Sequence, residues 1–249
     1  MRCARRRISP LPKAVNPRAE RHSFLPLSDT RRPETTYDWE VMIVDTDPAL
    51  NALTITCTLK PSPAESSSEV LGHQIAAFFD AHGVQTESVR AVDHVLLPGV
   101  EKDMGAGDEW PAIRQKVMSA DILVVVTPTW LGQASSVAQR VLERLDAELG
   151  ETDAQGRPSM FDKVAVAGVV GNEDGAHHIV GVLYQALSDV GFTVPAQGCV
   201  YWNGESMHST DYKDLEQTPE TVDTAMTTAL TNAVHLATKL REDGYPASS

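Results

Sequence analysis

Two unbroken apolar runs restrict this chain most: ILVVVT over 122–127 and KVAVAGVV over 163–170. A strand with one face in water alternates apolar and polar residues. A run without a polar face must be covered on both sides, as strands of parallel sheets are. Strand-like and helix-like patterns alternate around these runs. Leu53, Ile55 and Cys57 alternate with threonines, and Val70, Leu71, Ile75, Phe78 and Phe79 then recur at three- and four-residue steps. A second strand is predicted over 84–92, after Gly83, and Trp110-Pro111 opens a short helix through Ile113, Val117 and Met118. Ser135 or Ser136 caps a helix whose inner face is Val137, Val141, Leu142, Leu145 and Leu149. Another helix is expected over 176–190, a last strand region at 192–194 and 198–202, and a final helix from Pro219-Glu220 to about Arg241. This alternation predicts an α/β fold: one doubly wound, five-stranded parallel sheet with helices on both faces and right-handed crossovers.

With 249 residues and 42% hydrophobic content the chain can bury a full core. No apolar run approaches the roughly 20 residues a membrane-spanning helix needs, so no membrane partner is expected. The formal charge of −13 is uneven: the first 33 residues hold nine Lys or Arg against Glu20 and Asp29, which leaves −20 for the rest. That balance argues against nucleic-acid binding by the folded part. Residues 1–48, rich in proline and arginine and without periodicity, are expected to be a disordered or loosely attached basic arm, or an extended start with Met42 nearer the true beginning. Residues 49–249 are then the folded domain. Three scattered cysteines fit a reducing compartment, which points to the cytoplasm, and Cys57 and Cys199 read as core residues.

Three loops at strand C-terminal ends carry the chemistry. The first, LKPSPAESSS over 59–68, offers Lys60 and hydroxyls just before a helix N-terminus, whose free N–H groups and dipole receive anions, phosphate above all. The plainer alternative is an ordinary βα turn with Ser66 or Ser67 as cap. The second loop is Thr127-Pro128-Thr129-Trp130-Leu131-Gly132-Gln133, and the third is Gly171-Asn172-Glu173-Asp174-Gly175. In strand order 2-1-3-4-5 the first and third strands are neighbours at the switch point, where doubly wound sheets bind ligands. A flat aromatic ligand with a phosphate tail would use the first loop for its phosphate, Trp130 and Leu131 for a ring face, and Gly132, Gly171 and Asn172 for the polar edge of the ring. No Gly-x-Gly-x-x-Gly and no Walker lysine motif is present, which disfavours dinucleotide and P-loop sites.

Thr58-Leu59-Lys60 with Ser66-Ser67-Ser68, then 127–132, then 171–175, resemble the flavodoxin-like NAD(P)H-dependent FMN reductases over roughly residues 52–243. The resemblance implies that Thr58, Lys60, Ser66 and Ser68 bind the FMN phosphate. It implies that Pro128, Thr129, Trp130, Leu131, Gly132, Gly171, Asn172 and Gly175 contact the isoalloxazine. The first loop departs from the common pattern in having Lys60 where arginine is frequent and in its greater length; Trp130 stands where tyrosine is usual. Further implications are NADPH or NADH as co-substrate, a small-molecule electron acceptor such as a quinone or free flavin, and a homo-oligomer. Hydride transfer between nicotinamide and flavin requires no side-chain acid or base, so no catalytic residue is expected.

Other residues invite alternatives. His177-His178 with Glu173 and Asp174 suggests a metal, but adjacent helical positions diverge by about 100° and do not readily share one ion. Trp130 could be core packing, Lys60 a solvated loop lysine, and Asp146 with Glu148 a solvated helix face. Ser135 and Ser136 lack the glycine-flanked elbow of a serine nucleophile. Besides the reductase, two readings remain: a flavodoxin-type electron carrier and a flavin-free scaffold.

Overall fold

The computed structural model describes residues 49–204 and 208–247, which fall within one compact unit spanning 46–249. The basic arm expected over 1–48 lies outside the described residues. The strands are β1 (Asn51–Thr56), β2 (Gln85–Arg90), β3 (Ile122–Trp130), β4 (Gln133–Ala134), β5 (Val164–Val170) and β6 (Cys199–Trp202). The helices are α1 (Ser67–Ala81), α2 (Trp110–Ser119), α3 (Ser136–Leu145), α4 (Ala176–Val190) and α5 (Glu220–Glu242). The main sheet runs β2-β1-β3-β5-β6 with every neighbour parallel. This is the expected doubly wound order.

The two apolar runs become the central strands, and their side chains divide by parity. Leu123 and Val125 of β3 pack with Ala165 and Ala167 of β5 against α2, α3 and α4. Ile122, Val124 and Val126 pack with Val164 and Val166 against α1 and α5. Each fully buried Val, Leu or Ile contributes about 1.5–3 kcal/mol, so β3 and β5 form the firm floor from which the loops rise.

The expected strand count needs a correction. A sixth strand, β4, pairs antiparallel with the end of β3: Thr129 opposes Ala134 and Trp130 opposes Gln133. What reads as a loop from Thr127 is strand through Trp130, followed by a two-residue turn at Leu131 (φ 52°) and Gly132 (φ 72°). Positive φ at both central residues defines the hairpin turn that matches strand twist. Leucine carries no signal for that conformation, so the hairpin is invisible in the sequence.

A second correction concerns Glu148. It is fully buried rather than solvated, and Arg114 grips its carboxylate at 2.5 Å and 3.0 Å, with Ser159 Oγ donating at 3.1 Å. α3 ends at Leu145 and residues 146–150 tighten into a 3-10 turn, which turns Glu148 inward to the distant Arg114.

Candidate functional site

The loops after β1, β3 and β5 meet at the C-terminal rim of the sheet. Between them lies a cleft of about 150 Å³ that takes Lys60, Trp130 and Asn172 into one wall system. Nine of the twelve expected residues line it: Thr58, Lys60, Ser66, Ser68, Pro128, Thr129, Trp130, Gly171 and Asn172. Leu131, Gly132 and Gly175 stand beside it and do not line it.

The helix α1 starts at this cleft. Ser66 occupies the cap position with extended backbone (φ −143°, ψ 129°), yet its hydroxyl makes no capping bond. The first N–H groups of a helix have no intrahelical acceptor. Ser66 and Ser68 are both buried, so their hydroxyls and these N–H groups converge on a small shielded space. Across the cleft, Thr129 is 4% exposed and its Oγ1 has no hydrogen-bond partner. An orphaned buried hydroxyl is costly unless a ligand satisfies it. Gly171 completes the wall by close approach: a Cβ there would stand 2.8 Å from Thr129 Cβ.

Arg90, at the end of β2, holds the first loop in place. Its guanidinium donates to Lys60 O (3.0 and 2.7 Å) and Ala64 O (2.6 Å), and pairs with Glu69 at 2.9 Å. Asp93 reinforces it by accepting from Ser62 N (2.8 Å) and Ser62 Oγ (2.5 Å). The Ser62 hydroxyl holds the Asp93 carboxyl below its usual pKa. Ser135 ties β1 to α3: its hydroxyl donates to Cys57 O (2.6 Å) and caps α3 by accepting from Ala138 N (3.1 Å). Cys57 itself is sealed in the core, where burial pushes its thiol up to about 12.

The hairpin tip is exposed and apolar. Trp130 is 53% exposed and Leu131 91%, which excludes core packing for Trp130. Glu173 Oε1 accepts from Leu131 N at 2.9 Å and steadies the tip against the third loop. Gly132 and Gly175 serve that contact: a Cβ on Gly175 would lie 2.7 Å from Gly132 Cα. His177 meets Tyr201 Oη at 3.0 Å and His178 meets Gln133 Oε1 at 3.1 Å, so the two imidazoles serve different partners. Both also border a wider groove of about 690 Å³ between α3 and α4, which none of the three loops enters. Among the described residues no group of three or more His, Cys, Asp or Glu is arranged to hold a metal, and no helix is long and apolar enough to cross a membrane.

A fourth segment also lines the cleft. The stretch after β6, which reads as a polar loop, brings Asp211 and Lys213 to it. Asn172 Nδ2 donates to His208 O (3.2 Å) and to Asp211 Oδ1 (3.3 Å), and Lys213 N donates to Ser67 Oγ (3.3 Å). Sequence reasoning missed Asp211, Lys213 and Arg90. Tyr212, the one large aromatic in 208–217, was the available sign that this loop is pinned to the core.

The NADPH-dependent FMN reductase family matches residues 52–206. A protein named 8-demethyl-8-aminoriboflavin-5'-phosphate synthase, from Streptomyces davaonensis, is 35% identical over 166 residues, covering 63% of this chain and 64% of its own length. A protein named divalent metal cation transporter MntH, from Mycobacterium bovis, is 38% identical over 207 residues, covering 80% of this chain and 30% of its own. The chain thus spans less than two thirds of either curated relative. Among solved structures, RosB with the bound intermediate 8-demethyl-8-formylriboflavin-5'-phosphate superposes with a TM-score of 0.72 at 31% identity, covering 79% of this chain and 82% of that one. The order and spacing of the three loops, their convergence at one rim and the match over 52–206 lead to one conclusion: the chain belongs to the NADPH-dependent FMN reductase family.

Proposed function

We propose that this chain binds FMN at the cleft and acts as an NAD(P)H-dependent oxidoreductase toward a quinone, a free flavin or another small acceptor. The observation that carries this reading is that Lys60, Trp130 and Asn172, from three separate loops, border one cleft. The residues fit the cofactor: hydroxyls and helix N–H groups suit a phosphate, and the orphaned Thr129 hydroxyl awaits a polar partner. At about 150 Å³ the cleft is smaller than the roughly 300–1,000 Å³ of most ligand pockets. It suits the phosphate end, and the exposed indole of Trp130 offers the ring its surface.

FMN supplies a heterocycle that accepts hydride from a reduced nicotinamide and returns electrons to an acceptor. Thr58, Lys60, Ser66 and Ser68 bind the phosphate. Pro128, Thr129, Trp130, Gly171 and Asn172 orient the ring, with Leu131, Gly132 and Gly175 shaping the adjoining rim. No residue is assigned proton transfer. Cytoplasmic location and homo-oligomerisation belong to the same proposal, and the free thiols of Cys57 and Cys199 accord with a reducing compartment.

Anaerobic titration with NADPH or NADH tests the reading. Purified protein loaded with FMN should bleach at the flavin bands; persistent absorption would leave a flavodoxin-type carrier instead. Trp130→Ala should leave the fold intact and weaken FMN by about two- to tenfold, the size of an aromatic contact beyond burial, while Trp130→Phe retains most of the affinity. Equal FMN affinity in wild type and Trp130→Ala would remove Trp130 from the site.

A second reading is favoured by the likeness to RosB with its bound flavin intermediate. On it the same cleft takes a flavin 5'-phosphate as reactant rather than resident cofactor. Mass spectrometry of the flavin recovered after turnover separates the two: unaltered FMN supports the reductase, a changed flavin mass the second reading.

A further inference from the structure

We propose that Lys213 is a second phosphate-binding cation of this cleft, so that the site selects a flavin 5'-phosphate over unphosphorylated riboflavin. The inference rests on the FMN reading above and deepens it. Two basic residues, Lys60 and Lys213, line the cleft, and one acidic residue, Asp211. A phosphate monoester carries about −1.5 to −2 charges at neutral pH, and a helix N-terminus offers roughly +0.5. Lys60 alone therefore leaves the anion under-neutralised in a chain of net charge −13.

Lys213 is placed to add donors: Asp214 and Glu65 balance its charge, so what it brings to the anion is N–H groups and not net charge. Its side chain is 19% exposed, and its backbone N–H is bonded to Ser67 Oγ at the start of α1 (3.3 Å). The neighbouring Tyr212 locks the segment: it is 3% exposed, its hydroxyl donates to Gln74 Oε1 at 2.6 Å, and its ring lies 5.4 Å from Trp202. Lys213 Nζ lies 2.6 Å from Asp214 and 3.9 Å from Glu65. An ammonium has three donors, so the Asp214 contact leaves two for a ligand. The Asp214 hydrogen bond also raises the lysine pKa and keeps the group charged. Thr129, with its unpartnered buried hydroxyl, lines the same cleft and marks the cleft as a whole as a ligand site, independently of Lys213.

The test compares wild type, Lys213→Gln and Lys213→Arg in the full chain, titrating FMN and riboflavin separately by flavin fluorescence quenching. Loss of one charge-assisted hydrogen bond predicts FMN binding weakened by about tenfold or more in Lys213→Gln. Riboflavin binding should be unchanged, and Lys213→Arg should stay near wild type for FMN. If Lys213→Gln binds FMN as wild type does, or loses both flavins equally, the inference is overturned while the FMN reading stands. A wild-type chain that binds neither flavin overturns both.

Discussion

Asp108→Ala is expected to lower the melting temperature by on the order of 10 °C, because it strands a buried guanidinium. Asp108 and Arg144 form an ion pair at 2.8 Å with both side chains fully buried. Arg144 also donates to Leu97 O (3.0 Å) and Glu101 O (2.7 Å) and lies 5.7 Å from the centre of the Trp110 ring. Asp108 in turn accepts from the backbone of Leu97 (3.3 Å), Met104 (2.9 Å) and Trp110 (3.3 Å). One pair thus fastens residues 94–109 to α2 and α3. Removing one partner of a buried pair costs about 3–5 kcal/mol, and a domain of this size loses roughly 2–4 °C per kcal/mol. The pH dependence has a definite sign. Burial alone would raise the Asp108 pKa; the Met104 N–H, the Arg144 guanidinium and the Trp110 and Leu97 N–H groups outweigh it and hold the carboxyl below its ordinary value. The stabilisation is therefore complete above the unfolded value near about 4 and is lost as pH falls through the lower folded value. Calorimetric scans of both proteins should differ fully at pH 7 and converge in acid. A loss under 2 °C at pH 7 would show that the 94–109 segment does not depend on this pair.

The second large effect is on flavin binding. Arg90→Ala should weaken FMN by tenfold or more although Arg90 does not line the cleft. Its fork fixes the carbonyls of Lys60 and Ala64 and the carboxylate of Glu69, and hydrogen bonds to charged groups contribute about 1.5–3 kcal/mol. Without them the loop carrying Lys60 must be ordered by the ligand, and that ordering cost subtracts from affinity. Arg90→Lys should rescue little, since a point charge cannot bridge three acceptors in a plane. Limited proteolysis within 59–66, faster in the variant and slowed by FMN, is the structural readout. Unchanged affinity in Arg90→Ala would mean that the loop keeps its shape by other means, such as the Asp93–Ser62 contacts.

How far the sequence reached follows the range of the forces involved. Hydrophobic patterning along β1, β3 and β5 and the helical periods of α1, α4 and α5 are local, and they were legible as a doubly wound parallel sheet. The clustering of hydroxyls before α1 was legible as a polar loop at a helix N-terminus for the same reason. Glu148 was misread because its burial depends on where α3 ends and on Arg114, 34 residues away. The β3–β4 hairpin was missed because Leu131 adopts a positive φ that no local signal announces.

The sequence by itself determined which strands lie inside, which strand ends carry polar loops, and the family to which those loops belong. Only tertiary structure decided that Arg90 from β2 shapes the first loop, that Gly132 and Gly175 join two loops to each other rather than line the cleft, and that Lys213 returns to the start of α1. The physical reason is that a residue's period and neighbours are written along the chain. The partner of a charged or orphaned polar group is chosen by packing, across separations as long as the 146 residues between Ser67 and Lys213.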